Sequence, residues 1–284
     1  MEKVSLILEG GGVRGVYSAG VLDLLLDGNI DIKYCVGVSA GACNCVSYVS
    51  KQKKRNYRVN INYINDKRYL SIRNLLLTGS AFGMDMLFDI IPNELEVFDH
   101  ETYINSNTKF FVGSTNCDTG LPEFYNIKDF NVDGYDALKA SISLPLVAKI
   151  INYDNKNLLD GGIAAPIPIQ KAIDDGIKKH VVILTRHRGY RKEKTKIMPI
   201  IKRKYRKYPK LVDAIENRYK IYNETLELIN KLEKEGKCFV ISPRTPLKVS
   251  RFERDKEKLK VVYNQGYEDA LKLSKDLKRF LESQ

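Results

Sequence analysis

The amino-acid sequence predicts an α/β fold built on a mostly parallel sheet. Short apolar runs alternate with segments whose apolar residues recur at helical spacing, and this alternation continues almost to the carboxyl terminus. Strands that alternate with helices form parallel βαβ units, in which the helices pack on the faces of the sheet. The chain has 284 residues, of which 43% are hydrophobic, so it can enclose one large core. We therefore predict a single domain over residues 1–284 rather than two domains.

The first two βα units are the clearest local predictions. Residues 4–8 form a short apolar run, and residues 13–26 carry apolar side chains at helical spacing up to Gly28. The same plan repeats as a strand at residues 34–38 and a helix from residue 40 to about residue 48. Later patterns predict strands at residues 109–114, 123–127, 148–151, 181–185 and 238–241, and amphipathic helices at residues 207–234 and from about residue 264 to the carboxyl terminus.

A long excursion, residues 51–107, separates the second and third predicted strands. Its central part is rich in leucine, phenylalanine, isoleucine and methionine, and Gly79, Gly83 and Pro92 interrupt it. One interpretation is a movable lid or the wall of an acyl-chain pocket, because flexible methionine side chains adapt to irregular apolar ligands. The other interpretation is that these segments are ordinary core helices.

The net charge of +12 is concentrated in residues 186–210, which we call the basic segment. This segment contains twelve lysine and arginine residues against the single acid Glu193. Such a patch attracts polyanions, either an anionic lipid surface or nucleic acid, and interleaved tyrosines would also suit single-stranded nucleic acid. The alternative is a solvated loop whose charge only improves solubility.

Cysteine content and hydropathy indicate a reducing compartment. The five cysteines are odd in number and lie in apolar segments, as expected for reduced thiols: Cys35, Cys43, Cys45, Cys117 and Cys238. Residues 1–9 contain too short an apolar run for a signal peptide, and no stretch approaches the length of a membrane-spanning helix. We therefore expect a cytoplasmic protein.

The pentapeptide at residues 37–41 has the pattern G-x-S-x-G and joins a predicted strand to a predicted helix. In acyl-transfer enzymes such a turn holds a serine in a tight, exposed position, and small flanking residues are needed because larger side chains would clash there. Ser39 is therefore the candidate nucleophile, and Gly37 and Gly41 are the residues of the elbow.

A glycine loop at residues 10–15 follows the first predicted strand: Gly10, Gly11, Gly12, Val13, Arg14 and Gly15. Its backbone N–H groups converge without side-chain obstruction at the positive end of a helix dipole, which makes an anion site. Such a site can stabilise the oxyanion that forms when an ester carbonyl is attacked.

Two other interpretations of the glycine loop remain open at this point. Gly10, Gly12 and Gly15 also satisfy the dinucleotide pattern G-x-G-x-x-G, with Asp31 at a tolerable distance to bind a ribose. That interpretation leaves Ser39 without a role. The glycines could also serve only to let a helix pack closely against a strand.

A nucleophilic serine needs a base, and both histidine and aspartate are available. His100 lies in a polar stretch and His180 at a helix-to-strand junction, whereas His187 follows a late predicted strand, where an α/β-hydrolase places its histidine. However, arginines flank His187 on both sides and disfavour the imidazolium that must form during the reaction. Asp160 is the alternative base, because the two glycines that follow it allow close approach to another backbone.

Taken together and in this order, the glycine loop, the Ser39 pentapeptide and the Asp-Gly-Gly triplet at residues 160–162 resemble the patatin-like phospholipase family, particularly its compact bacterial members. Residues 140–145, Ala-Ser-Ile-Ser-Leu-Pro, are similar to a further block of that family. The resemblance covers about residues 4–185. The basic segment and a helical carboxyl-terminal part, about residues 207–284, lie beyond it.

The resemblance implies a three-layer α/β/α fold and a lipid acyl hydrolase that cleaves phospholipid or lysophospholipid esters. Ser39 would be the nucleophile, Asp160 the base, and the glycine loop the oxyanion site, with Arg14 in the basic position of the motif. It implies no metal and no cofactor. The basic segment would contact an anionic membrane and no nucleic acid is expected. The alternative is a non-catalytic lipid- or nucleic-acid-binding module that uses the basic segment.

Overall fold

The computed structural model describes residues 3–128, 130 and 134–283 of the chain, so residues 1, 2, 129, 131–133 and 284 of the predicted domain lie outside the described part. Eight strands form one sheet in the order β5-β6-β3-β2-β1-β7-β8, with β4 paired to β3 off this path. The strands are β1 (Val4–Leu8), β2 (Tyr34–Val38), β3 (Lys109–Asn116), β4 (Pro122–Asn126), β5 (Ile151–Tyr153), β6 (Lys156–Asp160), β7 (Lys179–Ile183) and β8 (Cys238–Ile241).

Helices connect these strands. They are α1 (Val16–Asp27), α2 (Ala40–Val49), α3 (Arg55–Asn62), α4 (Ile72–Thr78), α5 (His100–Asn105), α6 (Tyr135–Ile142), α7 (Ile169–Asp174), α8 (Met198–Lys204), α9 (Pro209–Lys234) and α10 (Lys256–Glu282). A 3₁₀ turn, Gly12–Gly15, precedes α1, and a π-helix, Met86–Leu95, lies between α4 and α5. Within the described residues, none of the helices combines the length and apolar character that crossing a bilayer requires.

Alternation along the central strands divides the core between the two faces of the sheet. Leu6 and Leu8 of β1 belong to the larger cluster, which contains residues of α1, α2 and α10. Ile7, between them, belongs to a second cluster with residues of α7 and α9. Because successive side chains of a strand point to opposite faces, this division gives three layers, α/β/α. The predicted fold class is confirmed: the central strands β3, β2, β1, β7 and β8 are parallel, and the antiparallel pairs involve β4, β5 and β6.

The first and last helices, α1 and α10, pack closely against each other. A Cβ added at Gly20 of α1 would lie 2.1 Å from the carbonyl oxygen of Tyr263, and one added at Gly266 of α10 would lie 2.0 Å from that of Tyr17. The Tyr263 hydroxyl also donates a hydrogen bond to Asp23, at 2.5 Å. The carboxyl-terminal helix therefore packs directly on the helix that follows the glycine loop. The single-domain organisation stays a prediction.

The register of β3 brings the antiparallel strand β6 to the end of β2. Residues 109–113 of β3 pair with β2, up to Gly113 opposite Val38. The next residues of β3 pair with β6, and Ser114 lies opposite Asp160. The residue after Val38 and the last residue of β6 are therefore neighbours, although 121 positions separate Ser39 and Asp160 in the sequence.

Most of the predicted elements are confirmed, and two predictions are wrong. The strand predicted at residues 148–151 is a hairpin, β5 and β6, whose turn residues Asp154 and Asn155 have φ of 52° and 56°. The pattern missed β6 because residues 156 and 157 are only partly buried, so the strand shows no clear alternation. The last helix begins at Lys256 rather than near residue 264, since Asp255 caps its amino end through the N–H groups of Glu257 and Lys258.

The excursion of residues 51–107 is mostly helical, and its apolar residues pack in the core and line a cavity. Met86 is completely packed in the larger core cluster, at 1% exposed. Phe82, Leu87 and Phe88 pack with the same cluster and also line a cavity. The interpretation as core helices is therefore confirmed for part of this region, and the interpretation as a lid or acyl-chain pocket stays a prediction. Helix α4 is the exception, because none of its residues is buried.

Candidate active site

Ser39 occupies the sharp turn between β2 and α2. Its φ of 54° and ψ of −131° lie outside the regions that an ordinary serine adopts, so surrounding contacts must hold this conformation. Two glycines make the turn possible. A Cβ at Gly41 would lie 2.6 Å from the Leu8 carbonyl oxygen, and one at Gly37 would lie 2.8 Å from the Ala42 nitrogen. Both elbow glycines are therefore required by close backbone approach.

Asp160, the last residue of β6, lies beside Ser39. The Ser39 hydroxyl donates a hydrogen bond of 2.6 Å to Asp160 Oδ2, and the Gly162 N–H donates one of 2.8 Å to Oδ1. Asp160 is 2% exposed. Burial raises the pKa of its carboxyl above the ordinary value, although the hydrogen bond from Ser39 and the charges of Arg218 and Arg251 act to lower it. The carboxylate is thus oriented by two donors and made more basic by burial.

Ser141 braces the Ser39 turn, and sequence reasoning assigned it no role. Its hydroxyl accepts the Ser39 N–H at 2.8 Å and donates to the Gly113 carbonyl oxygen at 2.6 Å. It lies in the Ala-Ser-Ile-Ser-Leu-Pro block, so the resemblance already marked this stretch, but only the tertiary structure shows what the hydroxyl contacts. Ser141 satisfies one buried donor and one buried acceptor at the site.

The glycine loop packs against Ser39 from the end of β1. A Cβ at Gly10 would lie 3.1 Å from Ser39 Cβ, and Gly12 has φ of 58°. The six residues do not contribute equally: the Gly10 N–H donates to the Pro166 carbonyl at 3.4 Å and the Val13 N–H to the Arg251 carbonyl at 3.1 Å. In the described part of the chain, no acceptor engages the N–H groups of Gly11 and Gly12. These two donors are therefore available to an anion.

A mostly apolar cavity of about 130 Å³ begins at this site. Ser39, Gly12, Val13 and Gly15 line it, together with apolar side chains from the excursion and from α6: Phe82, Leu87, Phe88, Ile91, Leu138 and Ile142. Cys43 also lines the cavity, but its thiol is not a candidate nucleophile. Burial and the charge of Asp160 raise the pKa of its thiol to about 12, so the thiol stays protonated.

None of the three histidines contacts Ser39 or Asp160. Nδ1 of His180 lies 2.8 Å from the Ser5 hydroxyl in the core, where burial lowers the pKa of the imidazole to about 4. His187 is half-buried, with Nδ1 2.7 Å from the Arg188 carbonyl oxygen. His100 packs its ring against Phe98. The geometry therefore gives no support to a histidine-containing triad.

Asp31 does not lie where a dinucleotide site would need its carboxylate. It precedes β2 and forms ion pairs with Lys33 and Lys51, at 2.7 Å and 3.3 Å. The glycine loop follows β1, which is parallel to β2, so Asp31 and the glycine loop lie at opposite ends of these strands. In addition, no group of three or more His, Cys, Asp or Glu side chains among the described residues could hold a metal ion.

The second half of the basic segment is packed, whereas residues 188, 191, 193, 194 and 196 in its first half are exposed. Met198, Ile201 and Tyr205 are buried in a third core cluster with residues of α9. Several of its outward-facing cations form ion pairs with glutamates of α9: Arg188 with Glu233, Arg191 with Glu227, and Lys194 and Lys202 with Glu216.

A serine on a strand-to-helix turn, a glycine loop and a buried aspartate meet at one edge of a mostly parallel sheet. Residues 6–173 match the model of the patatin-like phospholipases, and the chain belongs to this family. Residues 208–282 match a second model, the domain of unknown function DUF6363.

Individual relatives agree with this assignment. The chain is 26% identical over 187 residues to the uncharacterized protein YjjU of Escherichia coli (strain K12), a match that covers 64% of this chain and 52% of that protein. It is 23% identical over 193 residues to probable lipid hydrolase 463L of Invertebrate iridescent virus 6, covering 62% and 65%. The chain thus spans less than two thirds of the length of either relative. The structure of VipD from Legionella pneumophila has the same fold, with a TM-score of 0.56 at 11% identity over 96% of this chain and 67% of that one.

Replacing Ser141 by alanine tests its role as a brace. We expect Ser141→Ala to lower the free energy of unfolding by about 1–3 kcal/mol, because the Ser39 N–H and the Gly113 carbonyl lose their partner inside the protein. Urea denaturation measures this change. Ser143→Ala is the matched control, since that hydroxyl donates only to the Lys139 carbonyl one helical turn before it. Equal stability losses in the two variants would contradict the assigned role.

Proposed function

We propose that this protein is a serine lipid acyl hydrolase that cleaves carboxylic esters of phospholipids or lysophospholipids. The observation that carries the proposal is the 2.6 Å hydrogen bond from the Ser39 hydroxyl to the buried Asp160 carboxylate, in a chain of the patatin-like phospholipase family. The name of the viral relative, a probable lipid hydrolase, also supports it. In this proposal the apolar cavity holds the acyl chain.

The reaction would proceed in two steps through an acyl-enzyme. Ser39 Oγ attacks the acyl carbonyl carbon while Asp160 takes the hydroxyl proton, and the N–H groups of Gly11 and Gly12 stabilise the oxyanion. The carbon–oxygen bond to the alcohol then breaks, and the alcohol leaves with the proton from Asp160. Water next attacks the acyl-enzyme, Asp160 accepts its proton, and the fatty acid is released as Ser39 regains its hydrogen.

The dyad is tested by removing each member separately. We expect Ser39→Ala and Asp160→Asn each to lower kcat for a short-chain p-nitrophenyl ester by about 10³-fold or more, since one variant lacks the nucleophile and the other lacks the base. A fluorophosphonate probe should label the wild type at Ser39 and fail to label Ser39→Ala.

His187→Ala serves as the control for these variants, because the His187 ring contacts neither dyad residue, and it should retain full activity. Full activity in a folded Ser39→Ala or Asp160→Asn variant would exclude the dyad, and loss of activity in His187→Ala would favour a triad. A wild-type protein that neither reacts with the probe nor hydrolyses any ester would favour the non-catalytic binding module.

The pH dependence of hydrolysis should report the raised pKa of Asp160. The carboxyl must be ionised to accept a proton, so kcat/KM falls as the pH drops through its pKa. Because burial raises that pKa, the acid limb should lie above the ordinary aspartate value of about 3.9. Initial rates with a neutral ester, measured over an acidic pH series, avoid ionisation of the substrate. An acid limb at or below the ordinary value would contradict the assignment.

We further propose that α4 and α8 rest on an anionic membrane surface. Ile72, Leu76 and Leu77 of α4 are 77%, 81% and 71% exposed. The loop between α6 and β5 links the two helices: the Val147 carbonyl accepts the Ala81 N–H at 2.7 Å, and the Leu146 N–H donates to the Tyr205 hydroxyl at 3.0 Å. A patch of apolar side chains next to cations matches the chemistry of an anionic bilayer.

The cations beside this patch belong to the end of the basic segment. Arg203, Lys204, Arg206 and Lys207 line a shallow depression with Leu146 and Ile200. In the described part of the chain none of these four forms an ion pair, in contrast to Lys202. Phe82, four residues after α4, lines the apolar cavity, so the proposed membrane-facing surface lies beside the entrance for lipid.

Vesicle sedimentation tests the membrane surface. The double variant Leu76→Ser and Leu77→Ser should bind vesicles that contain anionic lipid about tenfold more weakly than the wild type, because two exposed leucines no longer enter the interface. The control pair is Val261→Ser and Leu271→Ser on α10, which are 65% and 52% exposed and should not change binding. Equal losses for both pairs, or no wild-type binding to anionic vesicles, would refute this surface.

A further inference from the structure

The cations at the start of the basic segment have two kinds of partner. Arg188 and Arg191 point toward α9 and pair with Glu233 and Glu227, at 2.6 Å and 2.8 Å. Arg186 and Lys192 have no ion pair among the described residues. Instead, the Arg186 guanidinium lies 4.5 Å from the centre of the Tyr190 ring, and Lys192 Nζ lies 5.5 Å from that of Tyr222. Both cations are half-buried.

Hydrogen bonds hold the backbone of Lys192 in this position. Its N–H donates to the Asn223 side chain at 2.8 Å, and its carbonyl accepts from the same side chain at 3.0 Å. Tyr222, over which Lys192 extends, donates its hydroxyl proton to buried Glu9 at 2.8 Å. Glu9 is the residue directly before the glycine loop. Lys192 is therefore attached to α9 and lies beside the loop.

Three arginines from other parts of the fold form a cluster of cations with Arg186 and Lys192. Arg251 packs on the glycine loop: a Cβ at Gly12 would lie 2.6 Å from its Cγ, and its side chain has no ion pair or hydrogen bond in the described structure. Arg14 is 6% exposed, and its Nε is buried without a partner. Arg218 of α9 donates from Nε to the Gly162 carbonyl, in the turn that holds Asp160.

The positive charges of these side chains also lower the pKa of their neighbours in the cluster. Burial, followed by the charges of Arg186 and Arg251, lowers the pKa of Arg14 to about 10. Burial, followed by Arg218 and Arg251, lowers the pKa of Lys192 to about 7. A drop of this kind is the expected effect of burying like charges together.

The acidic side chains near the cluster accept hydrogen bonds from other groups of the protein. Glu9 accepts hydrogen bonds from the Tyr222 hydroxyl and from the Thr185 N–H, the latter at 2.6 Å. Asp160 accepts from Ser39 and Gly162. The five basic side chains are half-buried or buried, and they outnumber these two carboxylates, so their positive charge favours an anionic ligand.

The cluster and the apolar cavity both contact the glycine loop. Gly12 and Val13 line the cavity, while Arg251 packs against Gly12 and accepts the Val13 N–H at its carbonyl. Ser39 also lines the cavity. In a glycerophospholipid the phosphate is only a few bonds from the scissile ester, so an acyl chain in the cavity would leave the phosphate beside the cations.

We propose that Arg14, Arg186, Lys192, Arg218 and Arg251 form a binding site for a phosphate group, and that this group is the phosphate of the substrate lipid. The assignment to a lipid rests on the proposed function, whereas the phosphate site itself does not. Guanidinium groups suit this ligand because their donors match the oxygens of a phosphate.

The site gives a role to the carboxyl-terminal part of the chain. Only Arg14 lies within residues 6–173, the stretch that matches the patatin-like phospholipases. Arg218 and Arg251 lie within residues 208–282, which match the domain of unknown function. In this chain that region completes the phosphate site, and the close packing of α10 on α1 keeps it next to the glycine loop.

Calorimetric titration of the full chain with inorganic phosphate tests the site without requiring catalysis. We expect Lys192→Met and Arg251→Gln each to weaken phosphate binding about tenfold or more, because each removes a charged donor. Arg251→Lys, which keeps the charge and most of the stem against Gly12, should retain most of the affinity. The matched controls are Lys194→Met and Arg191→Gln, whose cations pair with α9 at the surface and should change binding less than about twofold.

A second measurement separates a lipid phosphate from free phosphate. The ratio of kcat/KM for a monoacylglycerol phosphate to that for the monoacylglycerol of the same chain should exceed one in the wild type. It should fall about tenfold or more in Lys192→Met and Arg251→Gln, and stay unchanged in Lys194→Met and Arg191→Gln.

Each combination of results decides between the two proposals. Phosphate binding that depends on Lys192 and Arg251 in a protein that hydrolyses no ester supports the site and overturns the proposed function. Hydrolysis of both lipids at equal efficiency, with no phosphate binding, overturns the site and leaves the proposed function intact. Phosphate binding with no preference between the two lipids supports a site for free phosphate and overturns the assignment to the substrate.

Discussion

The whole site depends on how closely the backbones at the ends of β1 and β2 approach each other. Gly41 lies so near the end of β1 that an added Cβ would be 2.6 Å from the Leu8 carbonyl oxygen and 2.7 Å from that of Glu9. Because β1 and β2 are parallel neighbours, the segments that follow them leave the same edge of the sheet. The glycine loop is therefore pressed against the Ser39 turn, and side chains larger than hydrogen at these positions would push the two apart.

Antiparallel pairing of β6 with β3 places Asp160 at the site. β6 continues along β3 where β2 ends, and this register sets Asp160 opposite Ser114, one residue beyond the Gly113–Val38 pair. A shift of one residue in β6 would turn the carboxylate to the other face of the sheet. The Ser141 hydroxyl links the same elements, since it contacts both the Ser39 N–H and the Gly113 carbonyl oxygen. Strand register and one buried hydroxyl thus determine the geometry of the serine and the aspartate.

The carboxyl-terminal region adds charge to this framework. Arg188 and Arg191 of the basic segment form ion pairs with glutamates of α9, whereas Arg186 and Lys192 have no ion pair among the described residues and contact the rings of Tyr190 and Tyr222. The cations of the basic segment, which look alike in the sequence, therefore lie in two different environments in the structure. Arg251, from beyond β8, touches the loop through both its carbonyl and its side chain. The N–H groups of Gly11 and Gly12 and the proposed phosphate site are therefore parts of one packed unit.

The sequence by itself determined the fold class, the first two βα units and the identity of Ser39 and Asp160 as candidates, because each depends on local spacing or on short motifs. It could not assign β6 as a strand, since β6 is short and its first two residues are only partly buried. Nor could it distinguish Gly11 and Gly12 from Gly10 and Val13, because the carbonyls that engage the latter two come from Pro166 and Arg251. The meeting of Ser39 with Asp160 and the grouping of five cations were decided only by the tertiary structure, since register and burial depend on contacts between residues far apart in the chain.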